Sequence, residues 1–285
     1  MSLCYLNGRY QPLDEAQVSP MDRGFLFGDG AYEVIPVYSR HPFRLEEHVA
    51  RLESTLASIR LPNPHRPDEW AAIIREVIDR NVWEDQSVYL QVSRGADDKR
   101  NHAFPKVVRP TVFLMSEQLI TPPDYQREEG VACVSAADFR WLRCDLKTVA
   151  LLANCLLRQH AIDQGCVETV LFRDGFLTEG SSSNIFMVKD GVVLTPPKSH
   201  LMLPGITYDV VLELAVSHGL QHEVREILED EVRHADELWM TSSTKEVLPI
   251  TRLDDKAVGN GRPGPLGQQM YAWYQDFKNT VMRSG

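Results

Sequence analysis

Apolar residues recur at helical spacing in two segments near the start of the chain. The apolar positions of residues 45–59 are Leu45, Val49, Leu52, Leu56 and Ile59. Residues 70–82 repeat this pattern. A period near 3.6 residues is typical of helices that bury one face, so both segments are predicted to be helices.

Short apolar or alternating runs elsewhere predict strands. Asn7-Gly8 separates two such runs within residues 4–10 and indicates a hairpin. Further strands are predicted at residues 31–38, 87–93, 109–115, 131–136, 170–172, 192–195 and 237–240. Later helices are predicted at residues 149–160, 206–218 and 271–277.

Pro122-Pro123 marks the best candidate for a linker, within residues 119–125. The chain has 285 residues, of which 43% are hydrophobic, and this is enough for two medium domains with cores of their own. We therefore predict a small N-terminal α/β domain at residues 1–120 and a larger C-terminal domain at residues 121–285.

Charge and composition exclude several classes of partner. A net charge of -10 and a pI near 5.4 argue against nucleic acid, whose binding proteins usually carry a basic patch. No apolar run approaches the roughly 20 residues of a membrane helix, and the N-terminus lacks a signal-peptide pattern. The five cysteines include no C-x-x-C pair, so no metal site is expected. We expect a soluble, cytoplasmic protein.

Residues 177–186, LTEGSSSNIF, place one carboxylate, three serine hydroxyls and an amide between two apolar runs. The turn pairs Asp174-Gly175 and Asp190-Gly191 stand outside these runs, and such pairs are typical of tight hairpin turns. Glu179 and the serines are therefore predicted to lie on a bend between hairpin strands, where so many polar groups indicate a binding function.

Lys147 comes just before the helix predicted at residues 149–160. A lysine in this position is often only a solvated residue of a first helical turn. Partial burial, however, lowers the pKa of an amine and exposes the lone pair that an imine-forming enzyme requires. Glu179 would complement it, because a carboxylate beside the pyridine nitrogen of pyridoxal phosphate keeps that nitrogen protonated.

Three places in the sequence offer parts of a phosphate site. Taken singly, each has a simpler interpretation: Thr207 as a helix cap, residues 241–244 as a polar turn and Arg51 as a surface charge. Leu203-Pro204-Gly205 opens the helix predicted at residues 206–218, so the free amides of Ile206 and Thr207 are available to an anion. Residues 241–244, TSST, add hydroxyl donors after a predicted strand, and Arg51 adds a cation.

Five motifs, in this order along nearly the whole chain, resemble those of the fold type IV pyridoxal-phosphate aminotransferases. They read FGDGAYEV, DLKTVALLANCL, LTEGSSSNIF, LPGIT and TSST. Within the family the resemblance is nearest to D-amino-acid (D-alanine) aminotransferases. It implies an α/β fold of the α+β type with two domains. The C-terminal domain would have a mixed, barrel-like sheet, and the cofactor would lie at the domain interface.

The resemblance also implies roles for single residues. Lys147 matches the catalytic Schiff-base lysine, and Glu179 matches the partner of the ring nitrogen. The cofactor-binding positions implied are Arg51, Glu179, Ser182, Ser183, Asn184, Leu203, Gly205, Ile206, Thr207, Ser242 and Ser243.

Substrate binding is implied at four further positions: Tyr32, Arg100, His102 and Thr244. Arg100-Asn101-His102 resembles the Arg-x-His that, with a tyrosine, traps the substrate α-carboxylate in D-amino-acid enzymes. In the family these residues reach in from the neighbouring subunit, which implies a homodimer. The loop before Arg100 is one residue longer than the family's pattern, so either Lys99 or Arg100 takes the arginine's place.

The function implied is a ping-pong transaminase that moves the amino group of D-alanine-like amino acids to 2-oxo acids such as pyruvate or 2-oxoglutarate. An (R)-amine transaminase, a branched-chain L-aminotransferase and an aminodeoxychorismate lyase remain alternatives on the same fold. Val34 and Pro36 count against the L-enzyme, which typically carries glycine and arginine at these places.

Overall fold

The computed structural model describes residues 2–284. Their contacts divide the chain into two compact units. The first unit holds the chain up to Leu119, the short segment Leu146–Leu151 and the residues from Thr280 onward; the second unit holds Ile120–Asp145 and Leu152–Asn279. Within residues 2–284, none of the helices has the length and apolar character that crossing a membrane requires.

The first unit is a six-stranded antiparallel sheet with two long helices. Its elements are β1 (Leu3–Leu6), β2 (Arg9–Pro12), α1 (Arg23–Phe27), β3 (Gly30–Tyr38), β4 (His41–Pro42), α2 (Leu45–Ser58), α3 (Pro67–Arg80), β5 (Gln86–Ser93) and β6 (Thr111–Gln118). The strand order is β2-β1-β6-β5-β3-β4. Apolar residues of both helices, including Leu52, Leu56 and Ile74, form one buried core with β3, β5 and β6.

The second unit is built on a mixed nine-stranded sheet. Its elements are α4 (Asp124–Glu129), β7 (Val131–Ala137), α5 (Leu152–Asp163), β8 (Glu168–Arg173), β9 (Phe176–Gly180), β10 (Asn184–Lys189), β11 (Val192–Thr195), α6 (Ile206–Ser217), β12 (His222–Val224), α7 (Glu229–Arg233), β13 (Glu237–Ser242), β14 (Glu246–Leu253), β15 (Lys256–Ala257) and α8 (Pro265–Phe277). The order is β12-β11-β10-β13-β14-β7-β8-β9, with β15 on β14. β7 runs parallel to both β8 and β14, and β11 runs parallel to β12.

The predicted hairpin turns are present. Asp174 and Gly175 both have positive φ, 51° and 82°, as do Asp190 and Gly191 at 50° and 78°. Two successive positive values belong to the tight turn that matches the twist of antiparallel strands. Thus β8 turns into β9 and β10 into β11. Glu179 is the last residue but one of β9, and Gly180 separates it from the serines.

The helix predicted at residues 149–160 differs from the one observed. α5 begins at Leu152, and residues 147–149 instead pair with β3, because Lys147 O accepts from Tyr32 N at 3.0 Å and Val149 N donates to Gly30 O at 3.1 Å. The apolar run also predicted that this helix buries an apolar face, but Leu152 and Leu156 are exposed. Lys147 therefore lies in an extended segment of the first unit and not in a helical turn.

Candidate active site

Lys147 lies against Tyr32 in the first unit. The backbone pairing of its segment with β3 brings its Nζ to 4.2 Å from the centre of the Tyr32 ring. The Tyr32 ring in turn lies 5.7 Å from that of Tyr89 on β5. Both Lys147 and Tyr32 are half-buried, so the amine is confined beside an aromatic face and still accessible to a small molecule.

Arg51, predicted at the phosphate, is held by a buried carboxylate of the same unit. Its Nε and Nη2 donate to the two oxygens of Glu33 at 2.7 and 2.8 Å, and His48 Nδ1 lies 2.8 Å from Glu33 Oε2. Burial would raise the pKa of Glu33, but Arg51 and His48 together lower it to about 2. Glu33 is therefore ionised, and the two-point contact fixes the plane of the guanidinium.

Arg100 and His102 lie in the loop between β5 and β6, and both are exposed. They contact the same side chain: the guanidinium carbon of Arg100 is 4.9 Å from the centre of the Phe27 ring, and the His102 ring is 5.3 Å from it. Arg100 and His102 are two positions apart in the loop, and both side chains contact the Phe27 ring. The alternative residue, Lys99, is also exposed.

Glu179 is buried in the second unit and is paired with Arg140. Arg140 Nη1 donates to Glu179 Oε1 at 2.5 Å, while Asp138 accepts from Nε and Nη2 of the same guanidinium. The other oxygen, Oε2, accepts from Asn184 Nδ2 at 3.3 Å and from Leu203 N at 3.2 Å. Three predicted cofactor positions therefore meet at one carboxylate.

The charge of Glu179 is finely balanced. Burial raises its pKa to about 7, against the opposing effect of Arg140. Burial alone would lower the pKa of Arg140, but Asp138 and Glu179 raise it above the ordinary value of an arginine. The guanidinium therefore stays charged. A carboxyl with such a pKa gains or loses its proton according to the charge placed beside it.

A second buried carboxylate, Glu168 on β8, organises the serine bend. It accepts hydrogen bonds from the hydroxyls of Ser181, Ser182 and Ser183, and Lys245 Nζ donates to its Oε2 at 2.7 Å. Burial would raise the pKa of Glu168, but Lys245 and Ser181 lower it to about 2. The bend is thus fixed by one ionised group.

Gly205 shows why the LPGIT motif needs a glycine. A Cβ atom at this position would lie 2.2 Å from Asn184 Oδ1, so any larger residue would displace the amide that bonds Glu179. Gly205 is the N-cap of α6 and supplies no side-chain cap. Ile206 and Thr207 are the first two residues of this 12-residue helix, and the backbone amides at a helix N-terminus favour the binding of anions.

Residues 241–244 end β13 and turn into β14. The hydroxyl of Thr241 is buried and has no hydrogen-bond partner among residues 2–284. Ser242 Oγ accepts from Lys245 N at 3.1 Å, and Ser243 and Thr244 are half-buried in the turn. Lys245 therefore joins this turn to the serine bend through Glu168.

Arg140, Glu168, Glu33 and Phe27 were not identified from the sequence. Three of them carried a usable signal, because a charged residue inside or beside an apolar run must be paired when the run is buried. Glu33 stands inside AYEVIPV and Glu168 inside VETVLF, while Arg140 follows the strand that ends at Ala137. Phe27 gave no such signal, since an aromatic residue in a glycine-rich loop has many roles.

A model of the family described as amino-transferase class IV matches residues 30–253. A D-alanine aminotransferase of Bacillus licheniformis is 39% identical over 270 residues, 95% of each chain. One of Staphylococcus aureus (strain MW2) is 36% identical over 278 residues, 97% of this chain and 98% of the relative.

Solved structures give the same result for the fold. A branched-chain amino acid aminotransferase of Escherichia coli superposes with a TM-score of 0.89 at 26% identity, covering 98% of this chain and 94% of its own. The branched-chain aminotransferase of Thermoproteus uzoniensis with norvaline gives a TM-score of 0.87 at 24% identity, covering 97% of this chain and 95% of its own. The predicted fold class is confirmed by these neighbours.

Proposed function

Because the chain belongs to the amino-transferase class IV family, we propose that it transfers the amino group of D-amino acids such as D-alanine to 2-oxo acids such as pyruvate or 2-oxoglutarate. The family resemblance drawn from the five motifs is confirmed, and with it the transaminase class. The observation that carries the choice of substrate is the shared contact of Arg100 and His102 with Phe27, which suits the binding of one carboxylate by two side chains.

The cofactor of this class is pyridoxal 5'-phosphate, and the residues of the second unit fit it. Glu179 offers a buried carboxylate for a ring nitrogen, and α6 offers an N-terminus without a side-chain cap. Thr241 offers a buried hydroxyl that has no partner within residues 2–284. When bound, the cofactor supplies an electron sink for the carbanion formed at the substrate Cα.

We assign the catalytic role to Lys147. Its amine would bind the cofactor covalently between turnovers and, once displaced by the substrate amine, would take the proton from the substrate Cα. The Tyr32 ring beside Nζ limits the directions from which a substrate can approach. Lys147 and Glu179 are assigned to the same cofactor because the motifs that hold them resemble those of the family.

The remaining site residues are assigned to binding. Thr207 and Ser243 would donate to the phosphate, with Arg51 as the cation whose plane Glu33 fixes. The hydroxyls of Ser182 and Ser183 already donate to Glu168, so these two residues would bind the cofactor through their main-chain amides. Leu203 would pack on the ring of the cofactor. The phenol of Tyr32 and the hydroxyl of Thr244 would complete the carboxylate site with Arg100 and His102.

We further propose that the protein is a cytoplasmic homodimer in which Arg100 and His102 serve the active site of the neighbouring subunit. The exposure of both side chains supports this assignment, because residues that complete a partner's site must project from their own chain. Arg100 is preferred to Lys99, since it shares the Phe27 ring with His102.

A paired assay tests the function. Purified protein loaded with cofactor is given D-alanine, L-leucine, an (R)-arylamine or aminodeoxychorismate, with pyruvate or 2-oxoglutarate as acceptor where one is needed. D-alanine should be the preferred amino donor. Preference for L-leucine would favour the branched-chain reaction, which the solved neighbours carry out by name, and either of the other preferences would replace the proposal.

A further inference from the structure

The candidate carboxylate site lies in a loop with no regular structure. Residues 94–110 connect β5 to β6 and contain neither helix nor strand. Loops of more than about 12–15 residues without secondary structure are uncommon and are usually functional or disordered. If Arg100 and His102 bind a substrate, the part of the loop that holds them must be fixed by contacts with other residues of the chain.

Arg23 at the start of α1 makes this connection. The side chain is 3% exposed, and its Nη atoms donate to three successive backbone carbonyls: Nη1 to Asn101 O at 2.5 Å and to Ala103 O at 3.3 Å, and Nη2 to His102 O at 3.2 Å. Its Nε donates to Asp29 at 2.8 Å. A planar guanidinium carries five N–H donors and can bind several carbonyl and carboxylate oxygens at once, whereas a lysine presents a single point charge.

Asp29 neutralises Arg23 and also anchors Arg94 at the beginning of the loop. Arg94 donates to both oxygens of Asp29 at 2.8 and 2.9 Å and lies 3.7 Å from the centre of the Phe104 ring. The loop is thus held on both sides of residues 101–103. These two arginines are engaged by Asp29, whereas the guanidinium of Arg100 is exposed and available to a substrate anion.

Phe27, one turn after Arg23 on α1, supports the side chains. Its ring contacts Arg100 at 4.9 Å and His102 at 5.3 Å, and the guanidinium of Arg23 lies 4.8 Å from the same ring. A guanidinium that lies over an aromatic ring is stabilised by the ring's electrons, and its N–H groups can still donate hydrogen bonds. The ring therefore limits the orientations of Arg100 while leaving its hydrogen-bond donors available.

We propose that Arg23 and Phe27 are positioning residues of the substrate-carboxylate site: Arg23 fixes the backbone at residues 101–103, and Phe27 orients the side chains of Arg100 and His102. This inference rests on the proposed D-amino-acid function. Neither residue touches the substrate. Both act on affinity for the carboxylate and not on the chemical step.

The test combines kinetics with hydrogen exchange in cofactor-loaded protein. Arg23→Gln and Phe27→Leu should each raise KM for D-alanine about tenfold with kcat changed less than about twofold, the pattern of lost binding with intact chemistry. Arg23→Lys should recover part of the loss. Exchange at the amides of residues 99–104 should rise in Arg23→Gln. The matched controls are Arg75→Gln, an exposed arginine on α3, and Phe25→Leu, the exposed neighbour of Phe27.

A double-mutant cycle separates positioning from general damage. In an Arg100→Leu background, Phe27→Leu should raise KM by less than about twofold, because residues that act through one partner are not additive. Full additivity, or unchanged exchange of residues 99–104 in Arg23→Gln, would overturn the inference. If Arg23→Gln does not fold, Phe27→Leu alone decides. A wild-type protein that does not use D-amino acids overturns the proposed function, which the exchange data do not measure.

Discussion

Arg140 and Glu179 form a buried ion pair in which the guanidinium Nη1 lies 2.5 Å from Oε1 of the carboxylate. Asp138 accepts hydrogen bonds from the other edge of the same guanidinium, so Arg140 is held from two sides. Burial raises the pKa of Glu179 to about 7, and Arg140 is the largest effect that opposes this rise. Without the pair, the carboxyl would be protonated over a wider range of pH.

Replacing Arg140 by Gln should shift the titration of Glu179 upward. The substitution removes the cation that opposes the rise in the pKa of Glu179, so the carboxyl should stay protonated beyond about pH 7. Infrared difference spectra against Glu179→Gln, taken from about pH 6 to about pH 9, would follow the loss of the acid band. Arg143→Gln, at an exposed arginine paired with Asp145, is the control. An unshifted band in Arg140→Gln would show that burial alone sets the pKa.

Replacing Lys147 by Ala should abolish the visible absorption of a cofactor bound to lysine and lower the transamination rate about a thousandfold or more, the range lost with a positioned base. The cofactor should still bind noncovalently, since the contacts of Glu179 and of the α6 N-terminus do not involve Lys147. Absorption spectra and single-turnover rates with D-alanine measure both effects. Lys198→Ala, at an exposed lysine paired with Asp209, should change neither, and full activity in Lys147→Ala would remove the assigned base.

Periodicity was sufficient where one face of an element is buried. Periodicity predicted a helix at residues 45–59, and the structure has α2 at Leu45–Ser58. The Asp-Gly pairs correctly predicted the turns before β9 and after β10. Periodicity failed where the helix was predicted to begin, at residue 149. Residues 147–149 pair with β3 through backbone hydrogen bonds, and such a pairing leaves no mark in the spacing of the apolar side chains.

The contacts that hold the site residues in place could not be predicted either. Glu33, Glu168 and Arg140 each bind a predicted site residue that lies 14 to 39 positions away. Glu168 also binds Lys245, 77 positions away. The sequence shows that a buried charge needs a partner but does not say which partner it takes. The roles assigned to the site residues and the domain limits at 1–120 and 121–285 remain predictions.

Replacing Glu168 by Gln should weaken cofactor binding. The ionised carboxylate bonds three serine hydroxyls and Lys245, so its loss frees the serine bend and leaves the lysine without its partner. We expect the dissociation constant of the cofactor to rise about tenfold, equivalent to one strong hydrogen bond to a charged group. Equilibrium dialysis measures it. Lys189→Met removes an exposed pair with Asp236 and should have little effect, and equal losses in the two variants would argue against a specific role for Glu168.

Replacing Glu33 by Gln should destabilise the first unit in a pH-dependent way. Burial opposes ionisation of Glu33, but Arg51 and His48 lower its pKa from 4.5 to about 2. A carboxyl whose pKa is lower in the folded state stabilises the fold above the unfolded value, and this contribution disappears as pH falls through the folded value. The shift corresponds to about 3 kcal/mol in the free energy of unfolding.

Urea unfolding at matched pH values measures this contribution. The free energy of unfolding of Glu33→Gln should lie below that of the wild type by about 3 kcal/mol at pH 7, and the gap should narrow as pH falls from about 4.5 toward about 2. Glu76→Gln is the control, because Glu76 pairs with Arg80 on the exposed face of α3 and should contribute less than about 1 kcal/mol. A gap of constant size down to about pH 3 would mean that Glu33 acts through packing and not through its charge.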